Sequence, residues 1–458
     1  MIERGSRVHF VGVGGIGMSG LASVLVSQGV QVTGSDLSSN RETAALMMRG
    51  ARIHQGHAAT HVSPDLDGVI VSSAIAPDHE EILAAKRCRI PVVPRLAAVA
   101  QLLKKHRSIG VAGTHGKTTT TAMIASLLKK QGLRPSYLIG ADCPDLGGNA
   151  CLDSGEWFVA EIDESDGLLV EVHPDISVLT NIGKDHLNTY RDVEEIEQAF
   201  SQYLGQSKAQ ILCVDDERVR RLAKAFPKAT TVGIDAVADL QAAGLSFDQW
   251  RTSFDLLDKG LNVGRVVLPA PGRHNVRNAL CAIAAAQMAG IPLEQAMRGL
   301  STFRLPHRRF ELLEENGVTV VDDYAHLPEE IEASLQAIRS GWPGRRIIAI
   351  FQPHRYTRTQ ALGSEFGAAF ASADTVFVNP IYSACEARIP GTTSMQIVDA
   401  IRRQTTTSVQ MIETQDQTVC ILEDSIKQGD FIISFGAGDV WKVTERLARI
   451  LEAGNFLH

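Results

Sequence analysis

The nine residues Gly113-Thr114-His115-Gly116-Lys117-Thr118-Thr119-Thr120-Thr121 carry the clearest chemistry in the chain. An apolar run, 108–112, enters them and a helix-like run, 122–129, leaves them. Strand, tight glycine turn, Lys-Thr and helix start together describe a phosphate cradle. Backbone N–H groups and the helix N-terminus face the anion, the lysine neutralises charge, and a threonine hydroxyl ligates Mg2+. The generic G-x-x-x-x-G-K spacing is not met, because the nearest upstream glycine, Gly110, stands one residue too far away. Nucleotide binding is nonetheless expected over a structural turn, because strand and helix are both in place.

Two further apolar runs of the same region end in polar clusters. Residues 157–160 lead to Glu161-Ile162-Asp163-Glu164-Ser165-Asp166, and 176–180 lead to Asn181-Ile182-Gly183-Lys184-Asp185-His186. Carboxylate and hydroxyl oxygens, with an occasional imidazole, are natural ligands of Mg2+, so Glu161 and His186 join Thr118 as metal candidates. A run of four carboxyls is otherwise a solvated turn; its place beyond a buried strand favours the ligand reading. Later in the chain, four apolar runs end in Asp322-Asp323-Tyr324-Ala325-His326, in Gln352-Pro353-His354-Arg355-Tyr356-Thr357-Arg358-Thr359, in 380–386 and in 436–439. His354, Arg355 and Arg358 on one loop, opposite acidic loops, fit a pocket for an anionic or zwitterionic small molecule better than a solvated face.

Near the start, the run 8–13 ends in Gly12-Val13-Gly14-Gly15-Ile16-Gly17, and a second run, 30–33, closes with Gly34-Ser35-Asp36. The helical pattern between them completes a βαβ unit with G-x-G-x-x-G spacing and an acid placed to read a ribose. Dinucleotide or nucleotide-sugar diphosphate binding is expected, with a purely structural turn as the alternative. The run 68–71 leads into Ser72-Ser73, and 90–94 into Arg95, which reads equally as a solvated arginine and as an anion contact. His274, Asn275 and Asn278 precede or open an Ala-rich helix running to Ala289. They fit either a helix cap or amides that read a nucleobase edge. Residues 210–216 read as a strand and 293–300 as a helix, whereas 235–263 has no usable pattern.

The elements that must position these residues alternate strand and helix, which is the α/β class with ligands gathered beyond strand ends. At about 150 residues per domain, a chain of 458 residues predicts three domains. The charged break Lys104-Lys105-His106-Arg107 and the basic, Pro-bearing stretch 302–309 divide it into 1–106, 107–304 and 305–458. A net charge of −7 without a basic block excludes nucleic acid as an implied partner. The seven cysteines form no C-x-x-C pair, which favours reduced thiols over disulfides or a zinc site. No apolar run reaches the roughly 18 residues of a membrane span, and Met1 to Arg7 leads straight into a strand rather than a signal peptide. A soluble, cytoplasmic protein is expected.

The segments GTHGKTTTT, EIDESDG, DHLNTY, GRHNVRNA, RRFELL, DDYAH and FQPHRYTRT, in this order over nearly the whole chain, resemble the Mur ligases. The resemblance implies an N-terminal Rossmann-like domain for a UDP-sugar, a central P-loop ATPase α/β domain and a C-terminal Rossmann-like domain for an amino acid. It implies an ATP-dependent ligase of peptidoglycan precursor synthesis, joining L-alanine to the carboxylate of UDP-N-acetylmuramate through an acyl phosphate. Its partners would be small molecules. The alternative is a divergent ligase joining a different amino acid to a related acid. By the same resemblance, Gly14, Gly15, Gly17, Asp36, Ser72, Ser73 and Arg95 hold the UDP-sugar. Residues Gly113, Thr114, His115, Gly116, Lys117, Thr118 and Thr119 hold ATP, with Asn275 and Asn278 at the adenine and Asp323 near the nucleotide. Mg2+ would sit among Thr118, Glu161 and His186. Tyr324, His326, His354, Arg355 and Arg358 form the amino-acid site. Lys117, His186, His326 and Arg355 carry the catalysis, and either histidine takes the proton of the amine. Three places depart from the family pattern: Leu168-Leu169, Gly183-Lys184 and Leu327. They leave the accepted amino acid open. The absence of a lysine near 198–200 agrees with the alanine-adding branch.

Overall fold

The computed structural model describes residues 2–185 and 189–453; His186 lies outside them. The first sheet is built from β1 (Arg7–Val11), β2 (Gln31–Asp36), β3 (Arg52–Gln55), β4 (Gly68–Val71) and β5 (Val92–Pro94). Helices α1 (Ile16–Ser27), α2 (Arg41–Met48), α3 (Glu80–Arg87) and α4 (Arg95–Leu103) connect and cover it. The order is β3-β2-β1-β4-β5 and every pairing is parallel. Parallel strands covered on both faces read as near-continuous apolar runs. Val8, Phe10, Val11, Val69 and Ile70 are accordingly sealed from solvent. The chain leaves β1 to one side for β2 and later returns to its other side for β4. That reversal opens a crevice at the carboxyl end of β1.

The next stretch contributes β6 (Arg107–Ala112), α5 (Lys117–Lys130), β7 (Ser136–Cys143), β8 (Gly148–Cys151), β9 (Trp157–Glu161) and β10 (Ile176–Leu179). It continues with α6 (Val193–Gly205), β11 (Ala209–Cys213), α7 (Glu217–Ala223) and β12 (Thr230–Gly233). These strands run β12-β11-β10-β6-β9-β7-β8, with β6 parallel to both β10 and β9. The stretch without a sequence pattern holds β13 (Leu240–Asp248), β14 (Arg251–Asp258) and the start of β15 (Leu261–Leu268), which corrects the sequence reading. Exposed and covered positions do alternate along β13, but small residues such as Ala242, Ala243 and Gly244 mute the apolar contrast. Helices α8 (Arg273–Met288) and α9 (Leu293–Leu300) follow.

The last sheet comprises β16 (Glu311–Glu315), β17 (Thr319–Asp323), β18 (Ile347–Phe351), β19 (Thr375–Val378), β20 (Ser408–Met411) and β21 (Phe431–Phe435). Its helices are α10 (Pro328–Gly341), α11 (Tyr356–Leu362), α12 (Phe366–Ala369), α13 (Met395–Gln404), α14 (Gln415–Ser425) and α15 (Trp441–Glu452). The order is β16-β17-β21-β18-β19-β20, parallel except for the β16–β17 edge. Successive side chains alternate between faces. Ile347, Ala349 and Phe351 therefore pack into one core with Phe431 and Ile433, and Ile348 and Ile350 into another with Ile432.

The chain forms two compact units, one of Met1–Gly244, Phe254–Val267 and Val276–Arg304, the other of Leu245–Ser253, Leu268–Asn275 and Leu305–His458. The three α/β sheets match the fold class read from the sequence. The first sheet and strands β6 to β12 of the second belong to one unit.

Candidate active site

Strand β6 runs between β9 and β10, so their carboxyl ends deliver residues to one place. Register pairs Val111 with Glu161 and Ala112 with Leu179, which sets Glu161 on one side of the 113–117 turn and Asn181 on the other. Asn181 fixes the turn: its Oδ1 accepts the His115 N–H at 2.8 Å and its Nδ2 donates to the His115 carbonyl at 2.9 Å. Gly113 and Gly116 both have positive φ, 130° and 79°. At each the space of a side chain is already taken, by Thr180 and Asn181 at the first and by the Asn278 amide at the second. Glycine is thus required twice over, by backbone conformation and by room. Asn278 lies inside α8, so it does not cap the helix but packs against the loop glycine.

Lys117 begins α5 and folds back over the turn. Its Nζ donates to the carbonyls of Gly113 (2.6 Å) and Thr114 (3.2 Å) and to both oxygens of Glu164 (2.9 and 3.2 Å). Burial acts to lower the ammonium pKa, but the carboxylates of Glu164, Asp163 and Glu161 outweigh it and hold it above the ordinary lysine range. Glu164 is 2% exposed and its backbone carbonyl accepts the Tyr190 hydroxyl at 2.9 Å. The sequence reading passed over Glu164 as one carboxyl in a run of four.

Glu161 takes a different role. Its Oε2 accepts the Thr118 hydroxyl at 2.9 Å and the Gly140 N–H at 2.8 Å. A Cβ on Gly140 would stand 2.6 Å from that oxygen, so the carboxylate depends on a glycine of β7 that no motif announced. Hydroxyl and carboxylate oxygens converging beside a phosphate-type turn are hard donors of the kind Mg2+ prefers. Of the metal candidates, Thr118 and Glu161 are therefore brought together, and His186 falls outside the described residues. Lys184, one of the departures, is exposed.

The seven nucleotide-sugar candidates gather at the β1 crevice. The Gly14 N–H donates to Asp36 Oδ2 at 2.8 Å, and a Cβ on Gly14 would meet that oxygen at 2.9 Å. Gly15 caps α1. Ser72 and Ser73 follow β4, and the Ser72 N–H bonds to the Val11 carbonyl at 3.3 Å. Arg95 opens α4 rather than hanging in solvent: its guanidinium lies 3.2 Å from where a Cβ on Gly17 would be, and it faces Asp163 at 3.6 Å.

In the other unit, the ends of β17, β18 and β19 assemble the third group. Tyr324, His326 and His354 pack edge to face in sequence, at ring separations of 5.4 and 5.7 Å, and Tyr382 stacks on His354 at 5.8 Å. Arg308 and Arg309 lie over the Tyr324 ring, at 5.2 and 4.8 Å. His326 Nδ1 donates to the Tyr324 carbonyl at 3.0 Å, with Glu330 Oε2 3.6 Å from the same nitrogen. Arg358 Nη1 donates to His354 Nδ1 at 3.0 Å. Arg355 adopts φ 72° and ψ 140°, a strained conformation for a non-glycine residue, and its Nε is buried without a hydrogen-bond partner. Strain of this kind costs of order 1–3 kcal/mol and collects at ligand sites. Tyr382 and Arg308 were missed by sequence reasoning; a polar loop beyond β19 was the signal for the first.

Leu327 is 2% exposed and sits in the hydrophobic core. Asp323 is also buried, accepting the Ser334 hydroxyl at 2.6 Å and the Ala325 N–H at 3.2 Å. Burial pushes its pKa up to about 6. Asn275 belongs to this second unit and donates to the Pro271 carbonyl at 2.8 Å from within α8, so it caps no helix either.

Three family models match the chain in succession: "Mur ligase family, catalytic domain" over 7–107, "Mur ligase middle domain" over 111–286, and "Mur ligase, glutamate ligase domain" over 308–438. The UDP-N-acetylmuramate–L-alanine ligase of Pelobacter propionicus is 41% identical, over 97% of this chain and 98% of its own. That of Geobacter sp. (strain M21) is 42% identical, over 98% of each. The crystal structure of UDP-N-acetylmuramate-alanine ligase MurC from Thermotoga maritima superposes with a TM-score of 0.84 at 30% identity, covering 98% of this chain and 99% of that one. A murein peptide ligase from Psychrobacter arcticus gives 0.71 at 25% identity, over 99% and 100%. With a phosphate turn, an oxygen-rich carboxylate beside it and full-length matches of this kind, the chain belongs to the Mur ligase family.

Proposed function

We propose that the chain is an ATP-dependent ligase that joins L-alanine to the carboxylate of UDP-N-acetylmuramate, in the cytoplasm, as a step of peptidoglycan precursor synthesis. The division of labour follows 1–106 for the UDP-sugar, 107–304 for ATP and 305–458 for the amino acid. The observation that carries the reading is the grip on Glu161 Oε2 by the Thr118 hydroxyl and the Gly140 N–H at the edge of the Lys117 turn. Full-length identity of about 40% to L-alanine ligases supports the choice of amine.

A carboxylate is a poor electrophile because its oxygen is a poor leaving group. Transfer of the γ-phosphoryl group of ATP to it gives an acyl phosphate, and the amine then displaces phosphate. Both steps move negative charge, so fixed charges placed in advance contribute most. Gly113 to Thr119 present backbone N–H groups and the α5 N-terminus to the phosphates, and Lys117 neutralises the transferring group after leaving Glu164. Thr118 and Glu161, with His186, would hold Mg2+, which when bound neutralises phosphate oxygens and aligns them. Asn278 and Asn275 are assigned to the nucleotide base, and Asp323 near the nucleotide. Gly14, Gly15 and Gly17 bring backbone close to the UDP diphosphate, Asp36 orders the turn, and Ser72, Ser73 and Arg95 complete the anion contacts. In the acceptor site Arg355 and Arg358 meet the alanine carboxylate, with Tyr324 and His354 as walls. His326 is assigned to take the amine proton, with His186 the other candidate for that role.

The test is phosphate release across a panel of amino acids and UDP-sugar acids. Turnover should require ATP, Mg2+, UDP-N-acetylmuramate and an amino acid together, fastest with L-alanine. Equal turnover without either co-substrate would refute the ligase reading, and preference for another amino acid would favour the divergent alternative.

A further inference from the structure

Five of the fourteen histidines lie between residues 9 and 79, and the phosphate, sugar and amino-acid chemistry uses none of them. The fold gathers them around one carboxylate. Glu81, in the first turn of α3, is sealed from solvent. Its Oε2 receives the Ser35 hydroxyl at 2.7 Å and lies 3.1 Å from His57 Nδ1, while Oε1 lies 2.8 Å from His61 Nδ1. His9, on β1, is fully buried; its Nδ1 engages Thr33 at 2.8 Å, and its Nε2 faces Glu81 at 3.7 Å with no hydrogen-bond partner. His79 caps α3, and its ring stands edge-on to His57 at 4.6 Å. His54 stacks on His61 at 4.2 Å.

We propose that His57, His79 and Glu81 form a binding site for a divalent transition-metal ion of the Zn2+ type. One ligand atom from each lies within 4.8 Å of the others, and among the described residues this is the one cluster of three or more such groups that close. Tetrahedral Zn2+ with bonds of about 2.0–2.1 Å sets its ligand atoms roughly 3.3 Å apart. The His57–Glu81 spacing of 3.1 Å already matches, and the His57 and His79 rings are half-buried. His61 or a water completes four-coordination. Imidazole with one carboxylate is a softer donor set than the all-oxygen pair of Thr118 and Glu161, so this site selects Zn2+ or Co2+ where that one selects Mg2+. His9, fully buried on β1, faces Glu81 with its Nε2 at 3.7 Å.

The experiment uses the full-length chain, stripped with chelator, titrated with Co2+ and then with competing Zn2+. The expected result is one Co2+ per chain with the visible absorption of a four-coordinate ion, displaced by Zn2+ and insensitive to Mg2+. H79N keeps a good helix cap and should weaken Co2+ binding by at least about a hundredfold, beyond the loss typical of an outer-shell change. Unchanged thermal unfolding of the metal-free variant would show that the fold survives. E161Q should leave the signal intact. Absence of the absorption band, its persistence in H79N, or its loss in E161Q would each overturn the assignment.

Discussion

Two buried carboxylates stand at or just beyond strand ends in different units of this chain, and their surroundings treat them in opposite ways. Glu164, past β9, has Lys117 on both of its oxygens. Asp323, the last residue of β17, has a hydroxyl and an amide instead, and burial lifts its pKa to about 6. They are 2% and 7% exposed, so burial alone does not separate them. A carboxylate paired with a full cation stays charged and holds that cation in place. One bonded to neutral donors alone titrates close to neutrality. The first arrangement holds Lys117 over the 113–117 turn, and the second makes the stability of the other unit depend on pH.

Removing Lys117 breaks the contrast most severely. Lys117→Ala should lower the rate of phosphate release by about 10² or more, the scale of a positioned charge on a transferring phosphoryl group. It also leaves Glu164 buried without its cation, which costs about 3–5 kcal/mol of stability. Urea unfolding measures the second effect separately, and adding Glu164→Gln should restore much of the stability while the rate stays low. A single variant as stable as the parent would show that Lys117 is not what keeps Glu164 charged in the interior.

Asp323→Asn tests the other side. The folded pKa of about 6 lies above the ordinary value of 3.8, so the parent loses stability as pH rises from about 4 through 6. A shift of about two units corresponds to about 3 kcal/mol at most. The variant, which cannot ionise, should exceed the parent by up to that amount at pH 7 and match it near pH 4. Fluorescence-monitored denaturation reports on this unit through Trp250, Trp342 and Trp441. Parallel pH profiles would place the ionisation elsewhere.

Glu164→Gln sharpens the comparison without breaking it. Under the proposed function, nucleotide draws Lys117 away from two carboxylate oxygens, and a charge-assisted hydrogen bond contributes about 1.5–3 kcal/mol. Weakening that competitor should tighten ATP binding by about tenfold or more in calorimetry. An unchanged Kd would mean that Lys117 keeps its Glu164 bond in the complex.

These particulars also mark what could be read from sequence. Lys117, Thr118 and Glu161 were legible because each follows an apolar strand at a spacing that chemistry explains. Glu164 was not: four carboxyls in six residues carry no sign of which one turns inward. Gly140 was invisible because its contribution is an N–H and an absent Cβ. The departures at Leu327 and Lys184 looked like changes to the site, yet one side chain is core and the other exposed. Only packing distinguishes a residue that follows a site motif from one that belongs to the site. The strands of 240–268 escaped for a related reason, since small residues blur an alternation that the sheet makes plain.

Asp36 extends the comparison to a carboxylate engaged by backbone amides, and here the smallest effect is expected. It accepts Gly14 N–H at 2.8 Å and Ser38 N–H at 3.3 Å, with no lysine or arginine among those partners. Asparagine in its place keeps one carbonyl oxygen, so it can hold one of the two amides and gives up the other. A typical net hydrogen bond contributes about 0.5–1.5 kcal/mol, which is roughly two- to tenfold. Asp36→Asn should therefore raise KM for UDP-N-acetylmuramate within that range and leave kcat near the parent value, the pattern of lost uniform binding. Steady-state kinetics with the UDP-sugar varied at saturating ATP and L-alanine separates the two constants. If kcat fell as far as in Lys117→Ala, the Asp36 carboxylate would be serving the reacting group, and the ranking of cation-paired above amide-paired carboxylates would not hold.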